Sequence, residues 1–125
     1  MEIEISGVDA KRGLDLFEGD VETYVDILRS YVTNIPDSLD KIRNVSEETL
    51  RDYAIRVHGV KGASETIGAD EAKKTAKQLE EMAKGGNIAG VLARNNAFIK
   101  YAENLIDAIK IWLGKYDAAG GVPQR

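Results

Sequence analysis

The chain has 125 residues, enough for one domain that buries a core without staples or metals. It contains no cysteine, which removes disulfide frameworks, thiolate metal sites and cysteine nucleophiles. Seventeen Lys and Arg against 21 Asp and Glu give a net charge of -4, which argues against a nucleic-acid surface. No run approaches the roughly 20 apolar residues of a membrane span, and the opening MEIEIS lacks the basic and apolar regions of a signal peptide, so a cytoplasmic location away from membranes is expected.

Apolar residues recur at helical spacing almost throughout, and the only prolines are Pro36 and Pro123, so the fold class is all-α. A short helix is expected around Asp9 to Phe17, closed by Gly19. Asp20 then caps a second helix, with Glu22 in the favourable first turn. From Val21 the series Tyr24, Val25, Leu28, Val32, Ile35, Leu39, Ile42 keeps the i, i+3, i+4, i+7 pattern, which predicts one long amphipathic helix bent at Pro36. Ser46, followed by Glu47 and Glu48, reads as the N-cap of a third helix that turns Leu50, Tyr53, Ala54, Val57 and Val60 inward.

A fourth helix holds Ala72, Ala76, Leu79 and Met82 and stops at Gly85-Gly86. Asn87 caps the last one, which carries Ile88, Val91, Leu92, Phe98, Ala102, Leu105, Ile109, Trp112 and Leu113 on one side. Such short connections make antiparallel neighbours. The expectation is an up-down antiparallel four-helix bundle with a short additional N-terminal helix over residues 1–116, a disordered tail over 117–125, and a monomer.

The third helix carries the chain's only histidine in RVHGVKGASETIGAD, Arg56 to Asp70. Each interior glycine costs about 0.5 to 1 kcal/mol relative to alanine, so Gly59 and Gly62 oppose the helix unless bare backbone is required there. At about 100° per residue the apolar positions centre near Tyr53 and Val57, and His58 lies roughly 130° away, facing solvent. Gly62 lies one turn further on that face, Lys61 beside it and Glu65 two turns on.

A lone exposed histidine or lysine is most often an ordinary surface residue, but a glycine pair beside an imidazole suits the approach of a reactive group on another protein. Neutral imidazole is a competent nucleophile near pH 7, and Lys61 can place positive charge near a phosphoryl group arriving at His58. Metal binding is the enzyme-like alternative. It has only carboxylates such as Glu65, Glu80 and Glu81 to offer, which read as solvated helix faces.

HGVKGASETIG, His58 to Gly68, resembles the His-x-x-Lys-Gly-x-x-x-x-x-Gly motif of histidine-containing phosphotransfer (HPt) domains. GLDLFEGDVETYVDIL, Gly13 to Leu28, is similar to the Gly-Leu, Phe-x-Gly-Asp, Tyr and Leu pattern that precedes the site in that family, and the likeness covers about Ile5 to Leu113. The resemblance implies a phosphoryl carrier of multistep two-component phosphorelays. In it His58 accepts and donates the phosphoryl group, Lys61 favours it electrostatically, Gly62 leaves room for the partner, and Gly68 is structural, ending the histidine helix; Gly59 is a partner-facing position on the strength of the glycine pair alone. The implied partners are receiver domains of response regulators and a hybrid sensor histidine kinase.

There are departures from the pattern. Gly59 and Val60 stand where a polar residue and leucine are usual, and Ala63-Ser64-Glu65 replaces a run of small residues. Glu65 would set a carboxylate near the expected phosphoryl position, weakening phosphoryl affinity or selecting a partner. No Gly-x-x-x-x-Gly-Lys-Ser/Thr phosphate loop is present, so His58 is not expected to phosphorylate itself from ATP and the chain is not expected to be an enzyme. It needs no cofactor of its own in this reading, Mg²⁺ belonging to the partner receiver. The competing reading is a helical docking or inhibitory module that binds a kinase or receiver with its histidine unused.

Overall fold

The structure, a computed structural model, describes residues 3–121, and among these it contains five α-helices and no β-strand. They are α1 (Ala10–Asp15), α2 (Val21–Lys41), α3 (Leu50–Ile67), α4 (Asp70–Lys84) and α5 (Ile88–Ala118). α3 packs against α2 and α4, α5 packs against the same two, and α1 lies on α2 and α3. Among the described residues no helix is long and apolar enough to cross a membrane.

Most helix ends follow from local chemistry. The Asp9 carboxylate accepts from Arg12 N at 3.1 Å and starts α1. Gly19, at a φ of +78°, donates its N–H to Leu14 O at 2.9 Å and closes the turn after it. Asp20 accepts from Thr23 N at 3.2 Å, and Asn87 from Gly90 N at 2.9 Å. α2 is continuous through Pro36. An interior proline costs about 3 kcal/mol; Tyr31 and Ile35 before it and Leu39 and Ile42 after it are buried, which holds both halves to the core.

The start of α3 differs from expectation, because Ser46 is not its cap. The Ser46 carbonyl accepts from Thr49 N at 3.2 Å while its N–H donates to Thr49 Oγ1 at 2.9 Å. The two residues close a turn of their own, and the helix begins after Thr49. Leu92 also departs, being 56% exposed. The buried stripe of α5 runs Val91, Asn95, Phe98, Ala102, Leu105, Ile109, and Leu92 lies one residue, about 100°, off it. The interior position it was expected to share belongs to Asn95, whose Oδ1 accepts from Tyr53 Oη at 2.9 Å and whose Nδ2 donates to Ile42 O at 2.8 Å.

α5 continues past residue 116 to Ala118, and Asp117 takes an Arg29 hydrogen bond at 2.9 Å. Residues 122–125, the end of the expected tail, lie outside the described residues.

The block before the histidine helix clamps that helix's far end. Tyr24 Oη donates to Ile67 O at 2.7 Å, and a Cβ on Gly13 would stand 2.6 Å from the Tyr24 ring and 2.8 Å from Ile67 O. Gly68 ends α3 at a φ of +84°, a conformation L side chains resist, and a Cβ there would lie 2.2 Å from Asp9 O. Its carbonyl accepts from Asp9 N at 2.8 Å. Both glycines let backbone approach backbone where α1 meets the end of α3.

Candidate functional site

His58 leaves α3 on the side away from the buried run Tyr53, Val57 and Val60, and its side chain is 62% exposed. Its ring is nevertheless held. Nδ1 lies 2.8 Å from Glu80 Oε2 on α4, and Lys61 Nζ donates to Glu80 Oε1 at 2.7 Å. Lys84 Nζ, one turn along α4, stands 2.9 Å from the same Oε2.

Glu80 is buried, its side chain only 4% exposed. The Lys61 hydrogen bond above all, with those from Lys84 and His58, outweighs the desolvation that would favour the neutral acid and holds the carboxyl down at about 2 against an ordinary 4.5. An ionised carboxylate only accepts, so the hydrogen of the His58–Glu80 contact sits on Nδ1. The lone pair of the neutral ring is therefore on Nε2, the nitrogen that Glu80 does not hold. Such an arrangement can serve as a positioned nitrogen nucleophile, with the Glu80 carboxylate behind it to oppose the positive charge a ring gains when Nε2 forms a bond.

Glu80 corrects the expectation of a solvated carboxylate. On α4 it follows Leu79 directly and sits at the border of the buried stripe Ala72, Ala76, Leu79 and Ala83, whereas Glu81 points away from it and is exposed. A wheel drawn for α4 separates the two acids by about 100°, and that was the available signal. Lys61 is likewise not a free surface lysine: its side chain is 24% exposed and its ammonium is bound to Glu80.

Glu65 does not stand as an unopposed charge beside the site. Lys73 Nζ on α4 donates to it at 2.9 Å, and that contact, first among its neighbours, lowers the carboxyl's pKa. The departures after Gly62 have ordinary packing roles, with Ala63 half-buried and Ser64 buried with its Oγ 2.9 Å from Tyr31 Oη. Among the described residues no group of three His, Asp or Glu converges as a metal site.

Gly59 and Gly62 are exposed, and among the described residues nothing beyond the helix's own neighbouring backbone comes within 4 Å of where a Cβ on either would be. Internal packing therefore does not require glycine at these two positions. Gly68 is the opposite case, with a structural cause in its positive φ and in the Asp9 carbonyl against it.

A family model described as Hpt domain matches residues 14–112. No curated protein and no solved structure matches the chain.

Proposed function

The chain belongs to the Hpt domain family, phosphocarrier modules of two-component phosphorelays, and from that premise we propose that His58 is the carrier residue. It takes a phosphoryl group from a receiver-domain phospho-aspartate, or from a hybrid sensor histidine kinase, and passes it to the aspartate of a response regulator receiver. The observation that carries this reading is the 2.8 Å contact of His58 Nδ1 with the buried Glu80 carboxylate, which puts the hydrogen of the neutral ring on Nδ1 and its lone pair on Nε2, the nitrogen turned away from Glu80.

In the forward step the Nε2 lone pair attacks phosphorus and an N–P bond forms. The P–O bond of the acyl phosphate breaks, and its electron pair leaves on the partner's aspartate carboxylate. No proton has to move, because Nε2 carries none and the Nδ1 hydrogen stays toward Glu80. The ring becomes cationic as the bond forms, and Glu80 opposes that charge. Lys61, one turn on, fixes Glu80 through its 2.7 Å hydrogen bond, and in this reading its positive charge favours the arriving phosphoryl group. Gly59 and Gly62 leave the approach open. Much of the acceleration is orientation, which is what a positioned nucleophile without a nucleotide site can supply.

The chain works in this reading as a phosphoryl carrier and not as an enzyme, with Mg²⁺ belonging to the partner's receiver. Its scaffold is an up-down antiparallel four-helix bundle with a short additional N-terminal helix, a reading supported by the ring of packing pairs α2–α3–α4–α5. It acts as a cytoplasmic monomer.

The test is to mix the purified protein with receiver domains charged by acetyl phosphate and to follow acid-labile, alkali-stable phosphate. The wild type gains it and His58→Gln, still folded, does not. Label on His58→Gln would move the acceptor elsewhere. A wild type that binds receivers and takes no label would be a docking module instead.

A further inference from the structure

Four large apolar side chains stand out of the described surface, Leu16, Ile55, Leu92 and Ile111, and Ile55 is within one helical turn of His58. Ile55 is 66% exposed. Its exposed neighbours toward the start of α3, Arg51 and Asp52, are charged, so an apolar residue here is not explained by the helix's own packing. Ile55, Gly59 and Gly62 follow at i, i+4 and i+7, which sets them in one strip along the helix. The strip has an apolar end and then two turns of bare backbone, with open space above both glycines.

We propose that Ile55 is an apolar anchor for the receiver domain that docks at His58, and that it helps to set which receivers exchange phosphate with this protein. The inference rests on the reading of His58 as the carrier residue. Its geometric basis is the size of a protein interface. A specific contact covers about 800 Å² per partner, a disc of about 16 Å radius, whereas His58 lies three positions after Ile55, about 4.5 Å along the axis. A macromolecule that centres a phosphoryl group on Nε2 therefore covers Ile55 as well. Covering an exposed isoleucine removes apolar surface from water, a gain proportional to area and available only to a partner with an apolar surface opposite. A receiver presenting a charge there would have to desolvate it without a counter-charge, which is how one position can discriminate among related partners.

Removal of this side chain leaves the reacting groups in place, so its effect belongs in binding and not in the chemical step. For Ile55→Ala the KM for a phosphorylated receiver should rise roughly tenfold, about 1.4 kcal/mol, with kcat kept. Ile55→Leu, which restores most of the area, should recover it. Labelling of His58 by phosphoramidate, a donor too small to touch Ile55, should be the same in all three proteins. The experiment uses the full chain and a panel of receiver domains charged with acetyl phosphate.

A wild type labelled by phosphoramidate but by no receiver would remove the carrier reading and this inference with it. A wild type that exchanges with receivers while Ile55→Ala shows an unchanged KM would overturn the anchor alone. So would an Ile55→Ala protein that loses phosphoramidate labelling, since Ile55 would then act on His58 itself. A wild-type dimer in sedimentation that Ile55→Ala dissociates would assign the residue to a second copy of the chain and also overturn the proposal.

Discussion

His58 Nδ1 and Glu80 Oε2 lie 2.8 Å apart across the α3–α4 contact, joining a side chain that is 62% exposed to one that is 4% exposed. The pair ties one ring nitrogen to the protein, and in the proposed function the other does the chemistry. Its consequences for rate can be separated from its consequences for stability.

For rate, Glu80→Gln keeps an oxygen that can accept from Nδ1 but brings no charge to oppose the one the ring gains. Phosphotransfer to His58 should slow about tenfold, some 1.4 kcal/mol in the barrier, and Glu80→Ala, which loses orientation as well, should be slower still. Single-turnover labelling of the three proteins checks this. Equal rates for wild type and Glu80→Gln would leave Glu80 with an orienting role alone.

For stability, the Glu80 carboxyl has a folded pKa of about 2 against 4.5 ordinarily, so as pH falls the unfolded chain takes up the proton first. The contribution is fully present above about pH 4.5 and is lost progressively as pH falls toward about 2. Urea unfolding at a series of pH values should show wild type losing stability through this window more steeply than Glu80→Gln. Parallel curves for the two proteins would mean that the carboxylate's ion pairs add nothing net.

Lys61→Ala should be both less stable and slower in transfer, because its ammonium is the strongest of the partners that hold the buried Glu80 carboxylate ionised. Lys84 and His58 remain on Glu80, so the stability loss should be about 1 to 2 kcal/mol and not the larger loss of an uncompensated buried charge. In a double-mutant cycle with Glu80→Gln the two changes should be non-additive. Additive losses would place Lys61's role outside the Glu80 contact.

The glycines separate by cause. A Cβ at Gly62 meets no described residue within 4 Å beyond the helix's own backbone, and Gly62→Leu exchanges a poor helix former for one better by about 0.8 kcal/mol, so the protein should fold with equal or higher helicity while receiver transfer falls. Gly59→Ala has the same open space and a smaller side chain, and should be milder. Gly68→Ala must hold a φ of +84° and clear the Asp9 carbonyl at 2.2 Å. It should lose at least about 1 to 2 kcal/mol through backbone strain alone, read as a lower Tm in circular dichroism. A Gly62→Leu protein that transfers normally would move the docking surface elsewhere.

The elements with a strong local signal were legible in the sequence. Asp20 and Asn87 cap as their side chains predict, Gly19 and Gly68 take positive φ where the chain must turn, and the wheel correctly turns His58 outward. Ser46 misled because a serine before two glutamates fits a cap equally well three residues early, and only the Ser46–Thr49 turn decides between them. Leu92 misled because residue type outweighed register: the stripe through Val91 leads to Asn95, a polar residue that becomes interior once Tyr53 and the Ile42 carbonyl satisfy it. The same weighting hid Glu80. No property of a single helix reveals that Lys61 and His58 on α3 will meet that carboxylate from α4, because the contact exists only when the two are packed together.

In the proposed function, the open backbone at Gly59 and Gly62 beside a single nucleophile has a consequence for the order of events. One nucleophile on one helix face admits a single visitor, since two footprints of about 800 Å² cannot both centre on Nε2. Donor and acceptor must alternate, so the exchange is ping-pong, and the discharged donor competes with the acceptor for the vacated face. Tighter docking of either one then lengthens the turnaround. Throughput is greatest when both partners bind briefly, with residence times short against the lifetime of the phosphorylated histidine.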